Sequence, residues 1–172
     1  ALASGIRLIQ LRLPGWARNE TAVLARRVRD RCLEQGARLL LNSDWQLAEV
    51  LGLDGVHLPS RIAATLTGRP LGPHRWLGVS CYSAEELEHA VSLGADFATL
   101  SPVEHTDSHA DAIPFGWTRF AALVAQAPLP VYARGGKQLT DIETARASGA
   151  QGIAAIRSLW PNNSADDLVA GK

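Results

Sequence analysis

A parallel α/β fold of the (β/α) barrel type is what this 172-residue sequence predicts, and three observations predict it. Short apolar runs recur without polar alternation, so the strands they form need cover on both faces. Between them lie segments of helical spacing that stop at glycine. Strand and helix alternate through seven units, which suits either an open doubly wound sheet or a barrel. Ala1 to Gly5 read as the last turn of a helix with Gly5 as its cap, which implies a preceding strand and restores eight units. The barrel is therefore favoured. No Gly-x-Gly-x-x-Gly or Gly-x-x-x-x-Gly-Lys-Ser/Thr follows any strand, which weakens the doubly wound alternative.

The elements follow in order. Ile6 to Leu11 is a buried strand closed by Arg12 and Pro14-Gly15, and it places Gln10 and Arg12 on one face of its carboxyl end. From Thr21, the spacing of Val23, Leu24, Val28, Cys32 and Leu33 predicts a helix that Gly36 stops. Arg38 to Leu41 is the next strand and runs into Asn42-Ser43-Asp44, where Ser43 or Asp44 caps a helix reaching Leu51. Gly55 to Leu58 is a strand, Pro59-Ser60 opens a brief helix, and Trp76 to Ser80 is the following strand. Ser83 with Glu86 forms a capping-box pattern for a helix that ends at Gly94.

Asp96 to Leu100 is another strand, followed by a long polar segment from Ser101 to Pro114 that carries His105 and His109. Those two histidines, with Asp107 and Asp111, read either as a solvated loop or as metal ligands, and the loop is the simpler reading. A helix from Trp117 to Gln126 leads to the strand Leu129 to Ala133, then a helix from Thr140 to Ser148. The strand Gly152 to Ile156 comes last, with a short helix from Ser164 to Leu168. His57, alternating within an apolar strand, reads as a hydrogen-bonded core or barrel-top residue.

Composition narrows the function classes. Seventeen basic residues balance seventeen acidic ones, so no global field recruits nucleic acid or an anionic membrane. Cys32 and Cys81 have neither metal-finger nor Cys-x-x-Cys spacing, which fits two buried thiols in a reducing compartment. The cytoplasm is the default location. The chain has no methionine and reads as one barrel domain, 1–172, of a longer protein.

Anion chemistry is concentrated in two strand ends. Pro130-Val131-Tyr132-Ala133-Arg134-Gly135-Gly136-Lys137 and Gly152-Ile153-Ala154-Ala155-Ile156-Arg157 each pass from an apolar strand into a backbone-exposing or cationic segment. On adjacent strands, Arg134, Gly135, Gly136, Ile156 and Arg157 would aim amides and guanidiniums at one phosphate. A Gly pair after a strand is also consistent with a plain tight turn.

The ordered series Ile9-Gln10-Leu11-Arg12, Leu40-Leu41-Asn42, Leu53 to Leu58, Leu77 to Ser80, Gly94-Ala95-Asp96 with Ser101-Pro102-Val103, Gly135-Gly136 and Gly149 to Ile153 resembles the thiamine phosphate synthases and their thiazole tautomerase relatives. The resemblance implies a barrel with its site at the carboxyl face, joining a pyrimidine diphosphate to a thiazole phosphate with Mg²⁺. It implies substrate contacts at Gln10, Arg12, Asn42, Thr106 and Ser108, a family serine at Ser80, and a thiazole-phosphate cradle at Gly135, Gly136 and Ile156.

The series also departs from the family. Leu13 and Pro14 stand where an acidic residue and a lysine follow Gln-x-Arg, and His109 stands where a lysine is expected. Ser43 occupies a metal-aspartate position with Asp44 one residue late, and Pro59-Ser60-Arg61-Ile62 offers no second carboxylate. Arg61, Arg134 and Arg157 are left as phosphate clamps that need no metal. The expectation is a domain that binds a phosphorylated thiazole or pyrimidine precursor better than it performs synthesis. A non-catalytic sensor domain and an isomerase using His105 as its acid/base are the alternatives. Expected partners are the phosphorylated small molecule, an N-terminal Nudix domain as in bacterial fusions, and a second copy in a homodimer, with no nucleic acid and no membrane.

Overall fold

The computed structural model describes residues 1–105 and 113–159. The helix predicted over Ser164 to Leu168 lies outside the described residues, as do Thr106, Asp107, Ser108, His109 and Asp111.

Seven strands form one sheet: β1 (Leu8–Leu11), β2 (Arg38–Asn42), β3 (Gly55–Leu58), β4 (Trp76–Cys81), β5 (Phe97–Leu100), β6 (Val131–Arg134) and β7 (Gly152–Ala154). Each pairs in parallel with the next in sequence, so the spatial order is the chain order. A doubly wound sheet reverses its strand order at a switch point; this one never reverses, which is the barrel arrangement. The crossovers carry α1 (Arg18–Glu34), α2 (Trp45–Val50), α3 (Ser60–Ala63), α4 (Ala84–Ser92), α5 (Gly116–Val124) and α6 (Ile142–Ala147). Leu2–Ser4 is a 3₁₀ turn capped by Gly5 in the left-handed region, which is the helical ending the sequence predicts.

The period of two sorts each strand into two faces. Leu39, Leu41, Val56, Leu58, Leu77, Val79, Cys81, Ala98, Leu100, Val131 and Ala133 are buried in two apolar clusters with residues of the helices, among them Leu87, Ala90 and Phe120. The alternate positions, including Gln10, Asn42, His57, Gly78, Phe97 and Tyr132, form the inner wall. Gly78 has a packing reason: a Cβ there would lie 2.4 Å from the Phe97 ring and 2.6 Å from the His57 ring. Its bare backbone lets His57 on β3 stack with Phe97 on β5 across the strand between them, ring centroids 5.8 Å apart.

At the amino ends of the strands one device occurs twice. Asp54, just before β3, accepts a hydrogen bond from Leu39 N at 2.8 Å, and Asp96, just before β5, accepts one from Leu77 N at 2.7 Å. Each carboxylate ties a strand start to its neighbour, so this end of the barrel is built for stability and the carboxyl end is free for function.

The strand boundaries move little from prediction. α1 differs more, beginning at Arg18 because the Glu20 carboxylate accepts from Ala17 N. Alanine at the cap gives no sequence signal. Its buried face is Ala25 and Cys32, with Ala22 and Val28 packed alongside, whereas Val23 and Leu33 are exposed. Small alanines allow the helix to approach the sheet, and an apolar-count stripe overlooks them.

Candidate functional site

Three predicted residues meet at the carboxyl end of the inner wall. Gln10 Nε2 donates to Asn42 Oδ1 at 2.8 Å and to His57 Nδ1 at 3.0 Å, and Asn42 Nδ2 donates to Ser43 Oγ at 2.6 Å. An amide nitrogen can only donate, so His57 Nδ1 accepts and its ring proton sits on Nε2. His57 is 4% exposed, and among the described residues Nε2 has no hydrogen-bond partner. Burial, and then the charge of Arg134, lower its pKa to about 3. It is a neutral imidazole at physiological pH. Thr99 Oγ1 and Arg134 Nε are likewise buried without a hydrogen-bond partner among the described residues.

Arg134 ends β6, where it donates through Nη2 to Tyr82 Oη at 2.8 Å and lies 5.5 Å from that ring's centroid. The chain then turns through Gly135 and Gly136 with φ of 99° and 64°, two consecutive left-handed residues. A Cβ on Gly135 would come within 3.0 Å of Pro102 Cα, and one on Gly136 within 2.4 Å of the His105 carbonyl oxygen. Glycine is required twice over at Gly136, by conformation and by space. The β6–α6 loop is thus seated against the segment Pro102 to His105 that follows β5.

Lys137 locks this seat. Its ammonium is fully buried, 2.8 Å from Glu104 Oε2, 3.8 Å from Asp141 Oδ2 and 4.3 Å from the Trp117 ring centroid. The sequence gives Lys137 no role, because Glu104 and Trp117, which meet its ammonium together with the nearby Asp141, are distant in the chain. Its place directly after the glycine pair was the available signal.

The remaining predicted residues are distributed as follows. Ser80 is buried on β4 opposite Thr99 and borders a cavity of about 220 Å³ between α3 and α4. His105 is exposed on the segment over Gly136 and reaches the glycine through its carbonyl rather than its ring. Ile156 is 59% exposed beyond the end of β7, beside the β6 end through the Arg134–Ala154 register. Arg157 opens a 3₁₀ turn; its side chain lies outside the described residues, with Thr106 and Ser108.

Arg12 and Asn42 line a separate cavity of about 330 Å³ with Arg18, Arg61, Ser43 and Asp44. Asp44 is the predicted metal ligand. Its Oδ2 takes the Arg18 Nε hydrogen bond at 2.7 Å and its Oδ1 accepts from Leu47 N at 2.8 Å as the cap of α2. The Arg18 hydrogen bond holds this carboxylate below its ordinary pKa. Among the described residues no three His, Cys, Asp or Glu side chains gather as a metal group. A hard cation such as Mg²⁺ takes carboxylate oxygens; one carboxylate already paired with a guanidinium does not fit that requirement.

A family model described as thiamine monophosphate synthase matches residues 1–159. A candidate thiamine-phosphate synthase of Geobacter sulfurreducens is 40% identical over 164 residues, covering 92% of this chain and 76% of that protein. A thiamine-phosphate synthase of Lysinibacillus sphaericus is 33% identical over 175 residues, covering 99% and 82%. Among solved structures, a thiamine phosphate pyrophosphorylase from Pyrococcus furiosus superposes with a TM-score of 0.75 at 25% identity, covering 90% of this chain and 75% of its own.

Proposed function

The chain belongs to the thiamine monophosphate synthase family, which serves thiamine biosynthesis and binds phosphorylated small molecules, and on that premise we propose that it binds a thiazole phosphate at Gly135–Gly136, with slow synthase turnover. One observation carries the reading: two successive left-handed glycines, seated against the segment after β5, with Arg134 immediately before them. A phosphate needs close backbone approach and positive charge, and this loop offers both. Ile156 completes the cradle from the neighbouring strand end. Gln10 and Asn42, joined to each other and to His57, present amide groups to a pyrimidine-type ring.

Slow turnover follows from the charge inventory. Departure of a diphosphate develops negative charge, and stabilising it is worth several kcal/mol. The carboxylates at the family's metal positions and the lysine after Gln-x-Arg are missing, and among the described residues the only lysine beside the cradle, Lys137, is turned inward to Glu104.

The binding half is tested by titrating the protein with a thiazole phosphate and following the ³¹P resonance. Gly136→Ala, confirmed folded by circular dichroism, should weaken binding about tenfold or more, because the new methyl displaces the His105 carbonyl from the seat. Unchanged affinity would remove the cradle. The turnover half is tested with both thiamine precursors and Mg²⁺; a rate equal to that of the Lysinibacillus protein would overturn it.

A further inference from the structure

We infer that the cavity between α1, α2 and the end of β1 is a diphosphate site that works without a divalent metal, its charge supplied by Arg12, Arg18 and Arg61. This rests on the family reading of the chain but concerns a place apart from the Gly135–Gly136 cradle. The cavity has a volume of about 330 Å³, enough for a diphosphate group, and three guanidiniums line it against one carboxylate. Asp44 is that carboxylate, and it is spent on Arg18 and on the cap of α2. Among the described residues Arg12 and Arg61 make no hydrogen bond or ion pair, and both are exposed. They reach the cavity from different elements, one just past β1 and the other within α3. Asn42 and Ser43 add neutral polar groups to its lining.

The chemistry of this donor set is that of an anion host. A planar guanidinium meets two phosphate oxygens with paired N–H donors and needs no bridging ion. A magnesium ion placed here would meet three cations and a single occupied carboxylate. The residues that would repel the metal are the ones that would hold the diphosphate directly.

Inorganic pyrophosphate is the probe, titrated calorimetrically into the intact protein in EDTA and again with Mg²⁺. Binding should occur in EDTA, and Mg²⁺ should weaken it by masking the anion in solution. Arg12→Gln and Arg61→Gln should each weaken it about tenfold. Asp44→Asn gives the sharpest sign: asparagine still caps α2, while a negative charge leaves the cavity and Arg18 is released, so pyrophosphate should bind several-fold tighter. Binding that appears only with Mg²⁺, or that vanishes in Asp44→Asn, would show that the carboxylate holds a bridging cation and would overturn the inference. Pyrophosphate affinity indifferent to both arginine substitutions would overturn it as well. The thiazole-phosphate titration uses a different ligand, so its loss with metal-free pyrophosphate binding retained removes the cradle reading alone, and the converse removes this inference alone.

Discussion

His57 shows how one side chain can couple the site to stability. Its folded pKa of about 3 lies below the ordinary histidine value of 6.5, so between those limits the unfolded chain binds a proton that the folded chain refuses. The contribution of this group is therefore fully present above pH 6.5 and is lost as the pH drops toward 3. Urea midpoints measured from pH 7.5 to 4.5 should decline for the wild type and stay nearly level for His57→Gln. Equal decline in both would assign the acid sensitivity elsewhere. Asp44 acts in a lower window: its pKa is depressed by Arg18, so its contribution is lost only as the pH falls through and below the usual carboxylate range. The strand pattern makes His57 legible in sequence as a barrel-top residue. Its link to Gln10 was not legible, because it reaches across β2, and its stacking on Phe97 was not, because it depends on Gly78 leaving room on β4.

At the scale of elements, the two loops beyond β5 and β6 behave as one unit because Lys137 joins them. Removing one partner of a buried ion pair strands the other, whereas replacing the cation by an apolar side chain removes the demand. Glu104→Gln should thus cost about 2 kcal/mol, discounted for the partial exposure of the carboxylate, and Lys137→Met should cost less. Thermal melts of the two variants check this, and the reverse order would show that the cation–π contact with Trp117, not the ion pair, holds the loops. The strand ends, the glycine pair and the Ser83–Glu86 cap were all readable from local residue types. The start of α1 and the Lys137 lock were not, the first for want of a capping side chain and the second because Glu104 and Trp117 lie on segments distant from Lys137.

The whole molecule is a sheet that keeps chain order from β1 to β7, with β3, β4 and β5 buried almost throughout and β1 only partly so. Local opening is easiest where few apolar contacts protect the backbone hydrogen bonds. Amide hydrogen exchange should therefore be slowest at Val56, Leu77 and Ala98 and markedly faster along Leu8–Leu11; uniform protection would mean that the sheet opens only globally. The barrel class was legible as a whole, since continuous apolar runs demand two covered faces. The curvature that brings β3 and β5 side chains together was not, because no residue records it by itself.

The sorting of each strand into an outer face packed on the helices and an inner face that carries the polar site residues has a consequence for inheritance. Substitutions at Gln10, Asn42 or Arg134 alter what the interior recognises while leaving the Leu and Val layer against the helices intact. A lineage can thus exchange a metal-assisted site for an arginine-lined one through folded intermediates, each differing from its parent by a single inner-wall or rim residue.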